Sequence, residues 1–146
     1  MKIEDWTDSH AAQVEAWRYE PPYDFYDGEG EPVLNPERHF VARDDGGEVI
    51  GFYYYEPNGD VLDYGLGLRP DLTGRGLGLD FFRAGLELGR ERYRPRLVQL
   101  HVAAFNERAI KVYEQAGFRE TGRHVRTFAR WGDLEFVEME ESPGRG

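Results

Sequence analysis

The chain has 146 residues, which is enough for one domain with a buried core and too few for two catalytic domains. It contains no cysteine, and this excludes disulfide frameworks, cysteine–zinc sites and thiol nucleophiles. The formal net charge of −10 argues against nucleic acid and anionic membranes as partners. We therefore expect a single folded domain over residues 1–146, with a disordered tail at 142–146.

The charge is spread unevenly along the chain. Residues 1–65 carry 16 acidic and 4 basic side chains, whereas residues 66–111 carry 5 acidic and 9 basic ones. A basic middle segment therefore follows an acidic N-terminal part, which favours an anionic ligand held locally. The first ten residues lack the features of a signal peptide, and no run approaches the ~18 apolar residues of a membrane span. We expect a cytoplasmic protein.

Hydrophobic periodicity and turn residues predict a mixed order of strands and helices. After a short opening strand and a helix from Asp8 or Ser9 to about Trp17, the pattern indicates an antiparallel meander. A glycine-rich loop, a helix, a strand and a second helix follow, and the chain closes on a predicted hairpin. The predicted strands after the first are 39–43, 48–56, 61–68, 96–104, 118–130 and 134–140, and the later helices are 77–92 and 106–116. The fold class is α/β in the mixed, α+β sense.

The glycine-rich loop, residues 73–78, lies between a predicted strand and a predicted helix. This arrangement gathers unpaired backbone N–H groups and the positive end of a helix dipole, which together suit a phosphate or pyrophosphate. The dinucleotide and Walker spacings both fail here. A turn that binds nothing is the alternative. The cations within reach are Arg69, Arg75, Arg108 and Lys111.

Two motifs in this region resemble the GNAT superfamily of N-acetyltransferases. Residues 68–78, LRPDLTGRGLG, look like its acetyl-CoA pyrophosphate loop, V-x-P-x-x-R/Q-G-x-G-x-G/A. Residues 106–118 are similar to its second signature, N-x-x-A-x-x-x-Y-x-x-x-G-F. The resemblance covers residues 61–118 and implies acetyl-CoA as cofactor and a mainly antiparallel sheet of six to seven strands with helices on both faces. One departure is Thr73, where the family usually has Arg or Gln, so that phosphate contact is weakened, or made by the hydroxyl or a neighbour such as Arg75.

The resemblance also implies roles for individual residues. Tyr113 corresponds to the usual general acid, because a phenol with a reference pKa near ~10 keeps its proton at neutral pH and can protonate a leaving thiolate. A core tyrosine in a helix of the right periodicity is the alternative. Asn106 is expected to cap the second helix and to contact the cofactor. The expected cofactor-binding residues are Leu66, Gly67, Leu68, Leu72, Thr73, Gly74, Arg75, Gly76, Leu77, Gly78, Asn106, Arg108 and Lys111.

Asp63 is the candidate general base. It alternates with Gly65 and Gly67 on one face of the predicted strand 61–68, and two glycines are expected where a ligand approaches the backbone closely. In the family this strand often carries the carboxylate base and splays from the next strand to admit the pantetheine arm. The alternatives are an exposed strand carboxylate, and an amine that arrives already deprotonated.

Aromatic residues near the N-terminus are candidates for the acceptor site. With the acidic side chains around them, they could bind an ammonium group through cation-π contacts, although packing onto the sheet is the alternative. These substrate-site candidates are Trp17, Tyr19, Tyr23 and Tyr26. The four histidines lack metal-ligand spacing, so no metal is expected, and His101 is the one near the predicted cleft.

The resemblance implies direct transfer of an acetyl group from acetyl-CoA to a primary amine in a ternary complex, and the absence of cysteine agrees with it. The acceptor is a small-molecule or peptide amine, and a homodimer is compatible with the sequence. Two other functions stay open: a non-catalytic acyl-CoA-binding sensor on the same fold, and acetylation of protein N-termini. Acceptor loops vary among such folds, so the sequence does not separate these alternatives.

Overall fold

The computed structural model describes residues 1–27 and 36–141, so the predicted disorder of residues 142–146 lies outside the described chain. The described residues form one seven-stranded sheet with three α-helices. The strands are β1 (Lys2–Asp5), β2 (His39–Arg43), β3 (Val49–Asn58), β4 (Val61–Leu68), β5 (Leu97–Ala103), β6 (Phe118–Phe128) and β7 (Gly132–Glu141). The helices are α1 (Asp8–Glu15), α2 (Gly78–Tyr93) and α3 (Glu107–Gln115).

The strands are ordered β1-β2-β3-β4-β5-β7-β6 in the sheet. Neighbours pair antiparallel except β4 and β5, which pair parallel. A parallel pair needs a long crossover, and here the glycine-rich loop and α2 provide it. The predicted mixed, mainly antiparallel sheet of six to seven strands is therefore confirmed.

Helices α2 and α3 cover one face of the sheet, which we call the α2 face. Tyr53, Tyr55 and Tyr64 project from β3 and β4 onto this face, and their hydroxyls donate hydrogen bonds of 2.6–2.8 Å to main-chain carbonyls of α2. Gly85 of α2 allows this close approach, because a Cβ atom there would lie 2.2 Å from the Tyr64 hydroxyl. Buried phenols with satisfied hydroxyls thus hold α2 against the strands.

The opposite face, which we call the α1 face, carries α1 and the segment after it. Phe52 of β3 points to this face, where its ring packs against those of Trp6 and Trp17. Helices on both faces of the sheet were predicted, and this is confirmed. No helix in the described residues is both long and apolar enough to cross a membrane.

Candidate active site

A gap between β4 and β5 forms the centre of the site. The two strands pair only from Val61 to Asp63 on β4 and from Leu97 to Gln99 on β5. Beyond these residues the pairing stops, and a cavity of about 720 Å³ extends from the gap to the start of α2. Ligand pockets in proteins commonly have this size. The strand splay that the resemblance implied is therefore present.

The glycine-rich loop meets this cavity at the N-terminus of α2. Gly74 and Gly76 have φ angles of +73° and +77°, which L side chains rarely adopt, and a Cβ atom on Gly76 would meet nothing within 4 Å. No side chain caps α2, whereas Thr7 caps α1 and Asn106 caps α3. The first amides of α2 are thus left without a capping side chain, as a helix terminus that receives an anion requires.

Arg108 is the cation placed against this loop. Its Nη1 atom would lie 3.2 Å from a Cβ atom on Gly74, and its guanidinium stacks over the Tyr23 ring at 4.0 Å from the centroid. The Thr73 hydroxyl instead donates a 2.7 Å hydrogen bond to the Pro70 carbonyl. Because that proton is engaged within the loop, the hydroxyl is a poor substitute for the arginine or glutamine usual at this position.

Most residues expected at the site line the cavity. Of the expected cofactor-binding residues, the lining set is Leu66, Gly67, Leu68, Thr73, Gly74, Gly76, Gly78, Asn106, Arg108 and Lys111. Trp17, Tyr19, Tyr23, Tyr26 and Tyr113 also line it. Four predicted residues do not: Leu72, Arg75 and Leu77 of the loop region, and Asp63.

Tyr113 reaches the cavity from α3 on the α2 face. Its ring packs 4.8 Å from that of Phe82, and burial, with a smaller contribution from Tyr26, raises its pKa well above the ordinary value. A phenol with a raised pKa keeps its proton at neutral pH, so it can act as a donor. Asn106 combines two contacts: its Oδ1 accepts from the Ala109 N–H, and its Nδ2 donates to the Tyr26 hydroxyl.

The aromatic residues at the N-terminal side are already engaged with the protein. The Tyr19 hydroxyl donates a 2.7 Å hydrogen bond to the carbonyl of Leu68, the last residue of β4. The Tyr23 ring is covered on one face by Arg108, and Tyr26 contacts Asn106. The segment therefore packs onto the cavity rim as well as lining it, and one predicted cation-π surface is occupied by an internal cation.

The two glycines of β4 lie against aromatic side chains of β3 and also line the cavity. A Cβ atom on Gly67 would lie 2.3 Å from the Phe52 ring, so glycine at this position accommodates that ring. A Cβ atom on Gly65 would make only an ordinary contact of 3.6 Å with the Tyr54 ring. Both residues line the cavity, and the close approach of a ligand to this strand stays a prediction.

A row of polar side chains crosses the α1 face, and sequence spacing did not reveal it. His101 on β5 lines the cavity, and its Nε2 lies 3.4 Å from Asp63 Oδ1. Beyond it, Glu138 and His124 follow on β7 and β6, with 3.0 Å between His124 Nδ1 and Glu138 Oε2. Potential ligand atoms of His101, His124 and Glu138 lie within 4.8 Å of one another. Because Arg126 Nε donates to His124 Nε2, His124 Nδ1 carries the proton that Glu138 accepts, so His124 and Glu138 are hydrogen-bonded to each other.

The fold and the cavity define a small α/β domain that can hold an elongated anionic ligand in a gap between two parallel strands. Residues 3–118 match the family described as Acetyltransferase (GNAT) family. The chain belongs to this GNAT acetyltransferase family, and the resemblance drawn from the two sequence motifs is confirmed.

Several relatives share sequence with the chain. It is 36% identical over 103 residues to a mycothiol acetyltransferase of Clavibacter sepedonicus, covering 70% of this chain and 34% of the relative. It is 29% identical over 146 residues to an L-methionine sulfoximine/L-methionine sulfone acetyltransferase of Pseudomonas paraeruginosa, covering 92% of this chain and 76% of that one. The chain spans about a third of the length of the mycothiol acetyltransferases it matches.

Solved structures show the same fold at low identity. A spermidine N-acetyltransferase from Vibrio cholerae in complex with CoA and spermine superposes with a TM-score of 0.75 at 17% identity, covering 95% of this chain and 93% of that one. A ribosomal-protein-alanine N-acetyltransferase from Brucella melitensis gives a TM-score of 0.70 at 17% identity, covering 97% and 99%. These likenesses support the fold assignment.

Proposed function

We propose that the protein transfers an acetyl group from acetyl-CoA to a primary amine, with direct attack of the amine on the thioester in a ternary complex. One observation carries this proposal: the uncapped N-terminus of α2, its positive-φ glycines and the buried Tyr113 all meet a single cavity. Membership in an acetyltransferase family supports acetyl-CoA as the donor.

In this proposal the cofactor binds with its pyrophosphate at residues 73–78 and its pantetheine arm in the gap between β4 and β5. Main-chain amides and the α2 dipole hold the phosphates, and Arg108 and Lys111 add positive charge. Tyr113 protonates the departing thiolate. Burial keeps that hydroxyl protonated at neutral pH, so a proton is available to the departing sulfur.

The acceptor enters from the α1 face, beside Trp17 and Phe52. Glu15 lines this part of the cavity and offers a carboxylate to an ammonium group. A primary amine attached to an apolar or aromatic group suits these surroundings, because the cavity wall here is largely aromatic. A nitrogen acceptor is consistent with the names of two structural neighbours, a spermidine N-acetyltransferase and a ribosomal-protein-alanine N-acetyltransferase. It is also consistent with the name of a relative, an L-methionine sulfoximine/L-methionine sulfone acetyltransferase.

An acceptor screen tests the proposed function. Acetyl-CoA is incubated with the protein and a panel of alkylamines, arylalkylamines, polyamines and short peptides, and release of free CoA thiol is followed. The chain has no cysteine, so it adds no background to a thiol reagent. We expect release with at least one amine class. Stoichiometric CoA binding without release across the panel would instead indicate an acyl-CoA sensor.

A further inference from the structure

His101 and Tyr113 approach the β4–β5 gap from opposite faces of the sheet. On β5, Leu100 and Val102 are buried in the core, so the alternation of side chains directs His101 to the α1 face. Tyr113 lies on the α2 face, against Phe82. A thioester held in the gap thus has an imidazole on the side where the acceptor enters and a phenol on the other.

Asp63 is held so that it orients the His101 ring. Its carboxylate accepts a hydrogen bond from Asn58 Nδ2 at 2.8 Å and another from the Gln99 amide, and these two donors fix the orientation of the carboxylate. The oxygen that accepts from Gln99 lies 3.4 Å from His101 Nε2. A carboxylate beside one ring nitrogen favours a proton on that nitrogen and leaves the lone pair on the other.

The charged and titratable groups around His101 come from four elements. Asp63 faces it from β4 and Glu138 from β7, where the two residues are register partners. The ring of His124 on β6 lies 5.5 Å away, and Glu15 at the end of α1 lines the same cavity. His124 is hydrogen-bonded to Glu138 and Arg126, so the neighbours that face His101 are mainly carboxylates.

We propose that His101 accepts the proton of the acceptor's ammonium group and that Asp63 is a positioning residue for its ring. The inference rests on the proposed acetyl transfer. The freed nitrogen lone pair then attacks the thioester carbon, the C–N bond forms, and the C–S bond breaks with its electron pair on sulfur. Tyr113 gives the thiolate a proton and regains one from the nitrogen through solvent, while His101 releases its proton to solvent. The amide, free CoA and one proton result.

The experiment compares His101→Gln and Asp63→Asn on two acceptors that differ in amine basicity. One is an alkylamine, which is charged at neutral pH, and the other is an arylamine, which is uncharged there. We expect His101→Gln to lower kcat/KM for the alkylamine by on the order of 10²-fold and to shift the acidic limb of its pH–rate profile. The uncharged amine should lose far less. Asp63→Asn should also lower the rate for the alkylamine more than for the uncharged amine. Its effect should be smaller and should fall mainly on kcat.

Matched variants separate chemistry from structure. His39→Gln and Asp60→Asn change the same side-chain types outside the cavity lining and should retain wild-type rates. His101→Ala should regain alkylamine activity when imidazole is added. CoA affinity and thermal melting, measured on each variant, report whether the fold is intact.

Equal losses of activity on both amines, or an unchanged pH profile in His101→Gln, would overturn the inference while leaving acetyl transfer in place. If the wild-type protein releases no thiol with any amine, the proposed function fails, and the inference fails with it. The two results are distinguishable, because the wild-type protein is active in the first case and inactive in the second.

Discussion

The two sides of the cavity are built from the chain in different ways. On the α2 face, the loop 73–78, α2 and α3 all lie within residues 73–115, with β5 between the two helices, and the loop is shaped by local features such as positive-φ glycines and a missing cap. On the α1 face, the polar row comes from four strands and the aromatic wall from the N-terminal segment. Single substitutions on the α2 face therefore change one local contact at a time. The arrangement of side chains on the α1 face instead depends on how the strands are paired.

The largest expected effect is on turnover, and it tests the proton donor on the α2 face. Tyr113→Phe removes the proton donor while keeping the packing against Phe82, so turnover should fall by on the order of 10²- to 10³-fold. Initial rates of thiol release and calorimetric titration with CoA would check this, and CoA affinity should hardly change. Tyr93→Phe, on α2 but outside the cavity lining, is the control. Unchanged turnover in Tyr113→Phe would remove the acid assignment.

The next largest effect is on CoA affinity, and it tests the glycine-rich loop. Gly76→Ala places a methyl group where the phosphates are proposed to lie, so the Kd for CoA should rise by at least about 10-fold, or about 1.4 kcal/mol. Gly132→Ala is a matched control: its φ of +73° is similar, its Cβ would also meet nothing, and it is the first residue of β7, outside the cavity lining. Both should lose a similar roughly 1 kcal/mol of stability to left-handed strain.

Equal CoA binding by the two glycine variants would contradict the phosphate position. Equal melting temperatures with unequal affinities would support it most clearly. Differential scanning calorimetry alongside the titration supplies both numbers.

Arg108 and Arg75 should differ in their effect on CoA binding. Arg108 lies against the loop and lines the cavity, whereas Arg75 is not among the lining residues, so Arg108→Ala should weaken CoA binding by about 10-fold and Arg75→Ala by much less. The Arg108 effect should shrink as salt is raised, because charge interactions at the cavity rim are screened. Titrations at two ionic strengths measure this. A larger effect of Arg75→Ala would show that the loop cation makes the contact instead.

The smallest expected effect concerns stability at alkaline pH. Burial raises the pKa of Tyr53, Tyr55, Tyr64 and Tyr113 above the ordinary 10.0. Above that pH the unfolded chain releases these protons and the folded chain holds them, so the free energy of unfolding falls as pH rises. Between pH 8 and pH 10.5 we expect Tm to drop by on the order of 5 °C. A flat curve over this range would show that these phenols ionise normally in the fold.

Sequence reasoning identified the binding residues on the α2 face, because their spacing is set within one loop and one helix. Spacing along one loop and one helix predicts which backbone groups point outward, and Gly76 and Tyr113 line the cavity as expected. Arg108 was one of several candidate cations, and its position over Gly74 follows from how α3 packs on α2.

Sequence reasoning did not identify the polar row on the α1 face, because its contacts depend on pairing between strands distant in sequence. Asp63 meets His101 only because β4 and β5 align Asp63 with Gln99 and then diverge. The approach of His124 to Glu138 depends on an irregularity between Glu120 and Gly122 that shifts the register of β6 against β7. One residue of slip would send these side chains to the other face.

The three tyrosine hydroxyls that bind carbonyls of α2 have a consequence for the energetics of cofactor binding. They attach the helix to two neighbouring strands at successive turns, which restricts both sliding and rotation about its axis. The direction in which the first amides of α2 point is therefore set before any ligand arrives. Ordering that precedes binding does not subtract from affinity, so the anion site is preorganised by phenols on the sheet that never touch the ligand's phosphates.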